Sequence, residues 1–288
     1  NSIASVLNGC GYETVFFHGG INGTMGFDGF CRMAGFKEYY GKNEYNNDND
    51  FDGNWGIYDH KFLNYTAEKI NKLEKPFLAV LLTVSSHHPF TIPKEFRERF
   101  DSAKSPMEKS IMYADHSLRL FFNTISNTSW FDSTLFVITS DHAGPVSQAK
   151  YRTRVGVYEI PIIFYMHNGT FNGHNEVIMQ HCDIFPTVLD ILNYNGKFAS
   201  FGNSAFDSTA NHCAIHYFEN TYQLISNGHA LHFSEDSLLS FYNLKEDSLL
   251  EINLAQQSNR AKDRLEKVTK AIIQTYNHAM VHNQLTSH

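Results

Sequence analysis

The stretch FLAVLLTV, residues 77–84, is apolar throughout and does not alternate between apolar and polar positions. A run of this kind is typical of a strand that is buried on both faces of a parallel sheet. Shorter apolar runs predict further strands at residues 14–17, 134–139 and 160–165. Segments with helical spacing separate the runs, at residues 25–34, 59–73, 107–125 and 183–192. Strands that alternate with helices predict an α/β fold with a mainly parallel sheet flanked by helices. Asp59 is expected to be the N-cap of its helix.

The character of the sequence changes after Gly202. Short β-prone runs between Asn-Gly or acidic turns predict a small antiparallel sheet over residues 214–242, and a helical pattern follows at residues 260–280. We therefore expect an α/β region over residues 1–202, followed by a small sheet and a terminal helix over residues 203–288. His229 and His232 belong to the small sheet, and we expect both at its surface.

Composition argues against several classes of function. The chain has 288 residues and a net charge of -7, without a cluster of Lys or Arg. It is therefore a poor candidate for binding nucleic acid, which needs a basic face. The four cysteines are scattered and form no CxxC pair, so a zinc site built from thiolates is not expected. We interpret the cysteines as small buried apolar residues, although one disulfide remains possible in an oxidising compartment.

Histidines follow three of the predicted strands. The first strand ends at His18, the second runs into His87, and the third is followed by Asp141 and His142. In a parallel sheet, ligands bind beyond the carboxyl ends of the strands, so these side chains are expected to meet at one edge. An Asp oxygen and a His nitrogen are suitable ligands for a divalent ion, and neutral imidazoles can donate hydrogen bonds to a phosphoryl or sulfuryl oxygen.

Five short motifs make the resemblance to a known family specific. They occur in the same order as in the lipoteichoic-acid-synthase and phosphoglycerol-transferase branch of the sulfatase family, within the alkaline phosphatase superfamily. The motifs are GYETVFFHG (11–19), WGIYD (55–59), SHHPF (86–90), SDH (140–142) and DIFPTVL (183–189).

This resemblance implies a three-layer fold of the alkaline-phosphatase type. It also implies that Asp141 and His142 are metal ligands and that His18 and His87 hold the charged head group of a substrate. The donor pair suits Mn²⁺ or Zn²⁺ better than Ca²⁺ or Mg²⁺. Two further residues are open to two readings. Trp55 either lines the substrate pocket or is a packing anchor, and Arg152 either meets the substrate anion or is simply solvated.

The family resemblance implies an enzyme that hydrolyses or transfers phosphate or sulfate esters of cell-envelope glycans or lipids, with phosphoglycerol and phosphoethanolamine as candidate groups. Members of this branch are usually anchored in the membrane by an N-terminal segment, with the catalytic domain outside the cytoplasm. Their nucleophile and first acidic metal ligand precede the segment that resembles this chain. Lipoteichoic-acid synthases also have an Arg shortly after the first His motif, where this chain has NGTMGF (22–27). Without this bidentate clamp, the chain resembles the glucan-modifying transferases more closely.

Two alternatives use the same residues differently. A domain of this fold could bind an anionic glycan or a lipid head group without catalysis. A third interpretation is a calcium-stabilised domain, because the carboxylates from Asp48 to Asp52, with Asp59 in the closing position, resemble the start of an EF-hand loop.

We expect the 288-residue chain expressed alone to be inactive and to bind metal weakly, since two protein ligands rarely retain a catalytic ion. Assays with aryl phosphate and aryl sulfate esters in the presence of Mn²⁺ or Zn²⁺ would test this. Robust turnover of either ester would contradict the expectation.

Overall fold

The computed structural model describes residues 2–235 and 237–285, and the chain divides into two units, Asn1–Ser133 and Thr134–His288. The first unit contains five α-helices and three strands among its described residues. They are α1 (Ile3–Gly9), β1 (Glu13–His18), α2 (Phe27–Ala34), β2 (Glu38–Tyr40), α3 (Lys42–Tyr45), α4 (Asp59–Ile70), β3 (Phe77–Leu82) and α5 (Pro106–Ile125). Short 3-10 helices lie at Thr24–Gly26, Asp48–Asp50, Lys94–Phe96, Glu98–Phe100 and Phe131–Ser133.

The three strands of the first unit form a parallel sheet in the order β2-β1-β3. β1 lies in the centre, and its residues Val15 and Phe17 are fully buried. The predicted strands at residues 14–17 and 77–84 are therefore confirmed. The expectation that the second of them is buried on both faces is wrong, because every residue of β3 is only half-buried. β3 is the outermost strand in this sheet, with a paired neighbour on one side.

Helix α4 packs its apolar face inward, as its spacing predicts. Phe62, Leu63, Ala67 and Ile70 are all buried. The predicted N-cap is wrong: Tyr58 is the N-cap, and Asp59 is the first helical residue.

The carboxylate of Asp59 binds the segment that follows β3 instead of capping its own helix. Its Oδ1 accepts hydrogen bonds from the backbone N–H groups of Val84 (3.0 Å) and Ser85 (3.1 Å). The backbone N–H of Asp59 donates to Ser85 Oγ at 3.1 Å. Asp59 is only 2 % exposed, and its Oδ2 has no hydrogen-bond partner. Burial raises the pKa of this carboxyl to about 6 against the effect of the two N–H donors, because the charged form loses hydration.

The second unit begins with β4 (Phe136–Thr139) and β5 (Ile162–Tyr165), which pair with each other in antiparallel orientation. Two 3-10 helices, Ala149–Arg152 and Gly156–Tyr158, lie between them, and α6 (His181–Ile191) follows. The three predicted elements of this region are therefore present.

The small antiparallel sheet is confirmed, with four strands in the order β6-β7-β8-β9. The strands are β6 (Ala214–Phe218), β7 (Thr221–Ser226), β8 (His229–Ser234) and β9 (Ser237–Asn243), and the terminal helix is α7 (Arg260–Val281). One face of the sheet packs on α7 through Leu224, Leu231, Phe241 and Leu265. The predicted domain boundary at residue 202 is a separate question and stays a prediction.

The expectation that His232 lies at the surface is wrong. His232 is buried, with Nδ1 2.6 Å from Ser240 Oγ and Nε2 2.6 Å from Gln223 Oε1. These partners are cross-strand neighbours in the sheet, and burial lowers the pKa of His232 to about 4. The imidazole is therefore neutral and structural.

All four cysteines are free. Cys31 is buried and Cys213 is half-buried, as expected of small apolar residues, whereas Cys10 and Cys182 are exposed and do not follow that interpretation. Among the described helices, none is both long enough and apolar enough to cross a bilayer.

The raised pKa of Asp59 predicts how stability depends on pH. The folded chain retains the proton of this carboxyl up to about pH 6, whereas the ordinary value is 3.8. The unfolding free energy should therefore fall as the pH rises from about 4 to about 6, by up to about 3 kcal/mol. Asp59→Asn should remove this dependence, because the amide oxygen still accepts from the same two N–H groups. Asp59→Ala should be less stable than Asp59→Asn by about 2–4 kcal/mol, since both N–H groups become unpaired. Urea unfolding of the three proteins at pH 4.5 and pH 7.5 would show this, and equal stability of the two variants would contradict it.

Candidate functional site

His18 is the last residue of β1 and is buried at the carboxyl end of the strand. Its Nδ1 lies 3.1 Å from the hydroxyl of Tyr39, and its ring centroid lies 4.8 Å from that of Phe27. Burial lowers the pKa of His18, because the imidazolium form would lose hydration. The ring is therefore neutral near pH 7, and its orientation is fixed by Tyr39.

Two glycine positions bring Trp55 next to His18. The N–H of Ile57 donates to the carbonyl of Gly19 at 2.9 Å, and Gly20 forms an antiparallel bridge with Gly56. A Cβ atom at Gly56 would lie 2.4 Å from the carbonyl oxygen of Gly19, so this close backbone approach requires glycine. A Cβ atom at Gly20 would lie 2.7 Å from His18 Nε2 and 3.2 Å from the carbonyl oxygen of Trp55.

Trp55 in turn contacts the segment that follows β3. Its Nε1–H donates to the carbonyl of His88 at 2.5 Å, and its ring centroid lies 3.8 Å from that of His87, with the planes inclined by 45°. The carboxylate of Asp52 fixes the backbone of this tryptophan, because Oδ1 accepts from the N–H groups of Trp55 and Gly56 at 2.8 and 3.1 Å. Trp55 is thus a packing partner of His87. Whether it also lines a substrate pocket stays a prediction.

The imidazole of His87 is exposed and has a defined orientation. Its Nδ1 lies 3.0 Å from the carbonyl oxygen of His88, which can only accept. Nδ1 therefore has the proton when the ring is neutral, and Nε2 points away from this contact with a free lone pair.

The predicted metal ligands Asp141 and His142 follow β4 in the second unit. Their side chains are 72 % and 69 % exposed, and His142 Nε2 lies 3.7 Å from Asp141 Oδ2. The N–H of His142 donates to Asp141 Oδ1 at 2.9 Å, and Nδ1 lies 2.8 Å from the carbonyl oxygen of Ala143. The carbonyl contact leaves Nε2 as the nitrogen available to a metal.

This donor pair fits a divalent ion as part of a larger ligand set. One carboxylate and one imidazole are typical ligands of Mn²⁺ or Zn²⁺, but a stable site needs at least one more protein ligand. Within residues 2–235 and 237–285, no cluster of three or more His, Cys, Asp or Glu side chains could hold a metal ion. Arg152 is exposed at the end of the 3-10 helix Ala149–Arg152, in the same unit.

The structure thus packs the Trp55 ring on His87, and it brings the backbone of Trp55 and Gly56 against Gly20, two residues after His18. Asp141 and His142 lie together in the second unit. The convergence of all four predicted residues on one substrate stays a prediction. Residue spacing gave no signal for Tyr39 as the partner of His18. Gly19 and Gly20 after His18, and Gly56 after Trp55, did give a signal, because glycine in such positions often marks close backbone approach.

Each carboxylate of the acidic loop with the EF-hand-like pattern has a different partner. Asp48 forms an ion pair with Lys42, and Asp50 accepts from the Tyr45 hydroxyl at 2.5 Å. Asp52 binds backbone N–H groups of its own turn, and Asp59 is buried against the segment after β3. These partners do not support a shared calcium ion.

Comparison with known proteins bears on the family and the fold of the chain. Residues 1–194 match the family model described as Sulfatase. Phosphoglycerol transferase I of Citrobacter koseri is 27 % identical over 216 residues, which cover 70 % of this chain and 28 % of the relative. Lipoteichoic acid synthase 1 of Bacillus subtilis is 22 % identical over 214 residues, which cover 68 % of this chain and 33 % of the relative. The chain therefore spans about a third or less of the length of these curated relatives.

Solved structures confirm the predicted alkaline-phosphatase-like fold. A protein of the alkaline phosphatase superfamily from Vibrio parahaemolyticus superposes with a TM-score of 0.82 at 22 % identity, covering 99 % of this chain and 69 % of that one. The lipoteichoic acid synthase LtaP of Listeria monocytogenes superposes with a TM-score of 0.77 at 18 % identity, covering 98 % of this chain and 73 % of that one.

The contact between Gly20 and His18 predicts that a methyl group at position 20 lowers the free energy of unfolding. In Gly20→Ala, the new Cβ would lie 2.5 Å from His18 Cε1, so the buried ring must move. We expect a loss of about 1–3 kcal/mol in unfolding free energy, together with shifted ring resonances of His18 in NMR spectra. Gly29→Ala is the matched control, because a Cβ there meets nothing within 4 Å and Gly29 lies in α2. Similar stability of the two variants, with unshifted His18 resonances in Gly20→Ala, would refute this contact.

Proposed function

Because this chain belongs to the sulfatase family, we propose that it is part of a metal-dependent enzyme that transfers or hydrolyses phosphate or sulfate esters of cell-envelope glycans or lipids. The relatives named phosphoglycerol transferase I and lipoteichoic acid synthase 1 support phosphoglycerol as the group transferred, with phosphoethanolamine and sulfate as related alternatives. The resemblance to the lipoteichoic-acid-synthase and phosphoglycerol-transferase branch implies a location outside the cytoplasm, with a membrane anchor elsewhere in the protein.

The observation that carries this proposal is the contact between the ends of β1 and β3 through Trp55. His18 is held by Tyr39, while His87 is held by Trp55 and the His88 carbonyl. Side chains fixed in this way can bind a tetrahedral anion without the loss of rotamer freedom that mobile groups incur. His18 can donate from Nε2 to a phosphoryl oxygen when the Tyr39 hydroxyl donates to its Nδ1. His87 has its proton on Nδ1, towards the His88 carbonyl, so its Nε2 can accept a hydrogen bond from a hydroxyl of the transferred glycerol group.

Asp141 and His142 would hold the divalent ion, Mn²⁺ or Zn²⁺ by the chemistry of the pair. When bound, such an ion stabilises the negative charge on the ester oxygens and lowers the pKa of a coordinated nucleophile. The chain's own contribution is to present Nε2 of His142, since Nδ1 is engaged by the Ala143 carbonyl. The family resemblance assigns the nucleophile and a further acidic ligand to a part of the protein that precedes the matching segment.

The segment after His18 favours a transferase that acts on a glycan over a synthase of polyglycerol phosphate. Where lipoteichoic-acid synthases have an arginine clamp, this chain has the 3-10 helix Thr24–Gly26. Met25 in this helix is 80 % exposed. None of the three residues of this helix has a guanidinium group, which is the group that makes bidentate contacts with a phosphate.

His87→Ala in the full-length protein should lower kcat/KM for a phosphoglycerol ester by about 10-fold, since the hydrogen bond between Nε2 and a substrate hydroxyl is lost. The unfolding free energy should change by less than about 1 kcal/mol, because His87 is exposed. Ester turnover and urea unfolding of the same preparations would measure both effects.

His88→Ala is the matched control. Its side chain is equally exposed, one residue along the same loop, whereas its carbonyl, which binds Trp55 and His87, is retained. The control should keep near-parent activity. If His87→Ala and the parent are equally active, His87 has no part in the site; if the parent binds glycerol phosphate but turns over no ester, the protein is a binding module.

A further inference from the structure

A groove of about 510 Å³ lies in the second unit, between the hairpin end of the small sheet and helix α7. The sheet end contributes three aromatic side chains with Asn220 and Glu235, and α7 contributes Lys270, Ile273 and Gln274. We propose that this groove binds an uncharged stretch of oligosaccharide. The proposal rests on the proposed function and deepens it, because it assigns a place in the fold to the glycan part of the substrate. The residues that carry the argument are Tyr217, Asn220, Tyr222, Phe233, Glu235 and Lys270.

The aromatic wall of the groove is rigid and accessible. Tyr217 on β6 and Tyr222 on β7 are directly opposite each other in the antiparallel register. Their ring centroids lie 4.5 Å apart with the planes inclined by 42°, and the Tyr217 hydroxyl donates to Asn220 Oδ1 at 3.0 Å. Tyr217 is nevertheless 56 % exposed. An aromatic side chain that is anchored but open to solvent offers a large apolar face with little loss of conformational entropy on binding.

The charges around the groove disfavour an anionic ligand. The ammonium of Lys270 lies 2.7 Å from Glu266 Oε1, so its charge is already compensated, and its Nζ lies 5.3 Å from the centroid of the Phe233 ring. Glu235 adds a further carboxylate to the lining. A phosphate or sulfate group would therefore meet a carboxylate and no uncompensated cation among these lining groups.

Sugar rings match both properties of this surface. Their axial C–H groups form an apolar face that packs against aromatic rings, and their hydroxyl groups exchange hydrogen bonds with amides and carboxylates at the edges. The amide of Asn220 is oriented by the Tyr217 hydroxyl, which occupies Oδ1 and leaves the NH₂ group as a donor. Pockets that combine apolar faces with a few fixed polar groups are typical ligand sites.

Calorimetric titration of the 288-residue chain with three neutral hexasaccharides, cellohexaose, laminarihexaose and maltohexaose, would test the proposal. We expect at least one to bind with millimolar or better affinity, and Tyr217→Ala to weaken that binding at least 10-fold. Phe218→Ala is the matched control: Phe218 is 58 % exposed, is the next residue of β6, and points to the other face of the sheet. It should bind like the parent. Circular dichroism of both variants should match the parent, because both side chains are largely exposed.

The proposal is overturned if none of the three hexasaccharides binds, or if the two variants are weakened equally. It is also overturned if sn-glycerol 3-phosphate competes for the site, since that would make the groove an anion site. Its failure is distinguishable from failure of the proposed function. In the full-length protein, Tyr217→Ala should raise KM for a glycan acceptor and leave hydrolysis of a small phosphoglycerol ester unchanged, whereas His87→Ala should impair both reactions and leave saccharide binding intact.

Discussion

The buried carboxylate of Asp59 is the contact on which the geometry of the first unit depends. It joins the first residue of α4 to the backbone of Val84 and Ser85, where the chain leaves β3. These N–H groups lie just beyond the strand, so the sheet cannot satisfy them, and leaving them unpaired in a buried place would be costly. Burial of the carboxylate has its own cost, which is visible in its raised pKa. In return, the hydrogen bonds of Asp59 fix the path of the chain from β3 to His87, which lies two residues after Ser85.

A second constraint acts on the backbone that follows β1. Gly19, Gly20 and Gly56 allow two backbone segments to approach so closely that side chains would not fit between them. Trp55 is positioned by this approach and then spans to His87 with its ring and to His88 with its indole N–H. Two imidazoles from neighbouring parallel strands are thereby held by contacts that do not depend on a bound ligand. Such preorganisation favours substrate binding, because a hydrogen-bonding group contributes little if it must first be ordered.

The sequence predicted the secondary structure well where apolar periodicity decides it. The run at residues 77–84, the stripe of α4 and the hairpins after residue 202 all appear as expected. It predicted less well the roles of side chains whose partners are distant in the sequence. Asp59 before a helical pattern indicates an N-cap, and only the approach of residues 84 and 85 reveals a different role. His232 looked like a surface residue because its partners, Gln223 and Ser240, are neighbours only in the sheet.

In the candidate site too, the sequence indicated features that depend on local pattern and missed contacts between residues far apart in the chain. His18 and His87 follow β1 and β3, which are neighbouring parallel strands, so the rule that ligands bind beyond the carboxyl ends of such strands applies to them. Asp141 and His142 follow β4, whose partner β5 is antiparallel, and their place at the same edge stays a prediction. The contact between Trp55 and His87 joins residues 32 positions apart in sequence, and no spacing rule encodes it. Family resemblance identified both residues but could not say that one holds the other.

The two surfaces of the chain differ in the kind of chemistry they offer, and this difference bears on specificity. The edge at His18 and His87 presents oriented imidazole nitrogens, and the segment of residues 22–27 that follows His18 contains no arginine. The strength of a hydrogen bond falls off sharply with distance and angle, so fixed imidazoles select a ligand chiefly by geometry. The groove at Tyr217, which lies within the second unit, offers aromatic faces and a few fixed polar groups. Surfaces of this second kind select by the shape of an uncharged ligand and by the pattern of its hydroxyl groups.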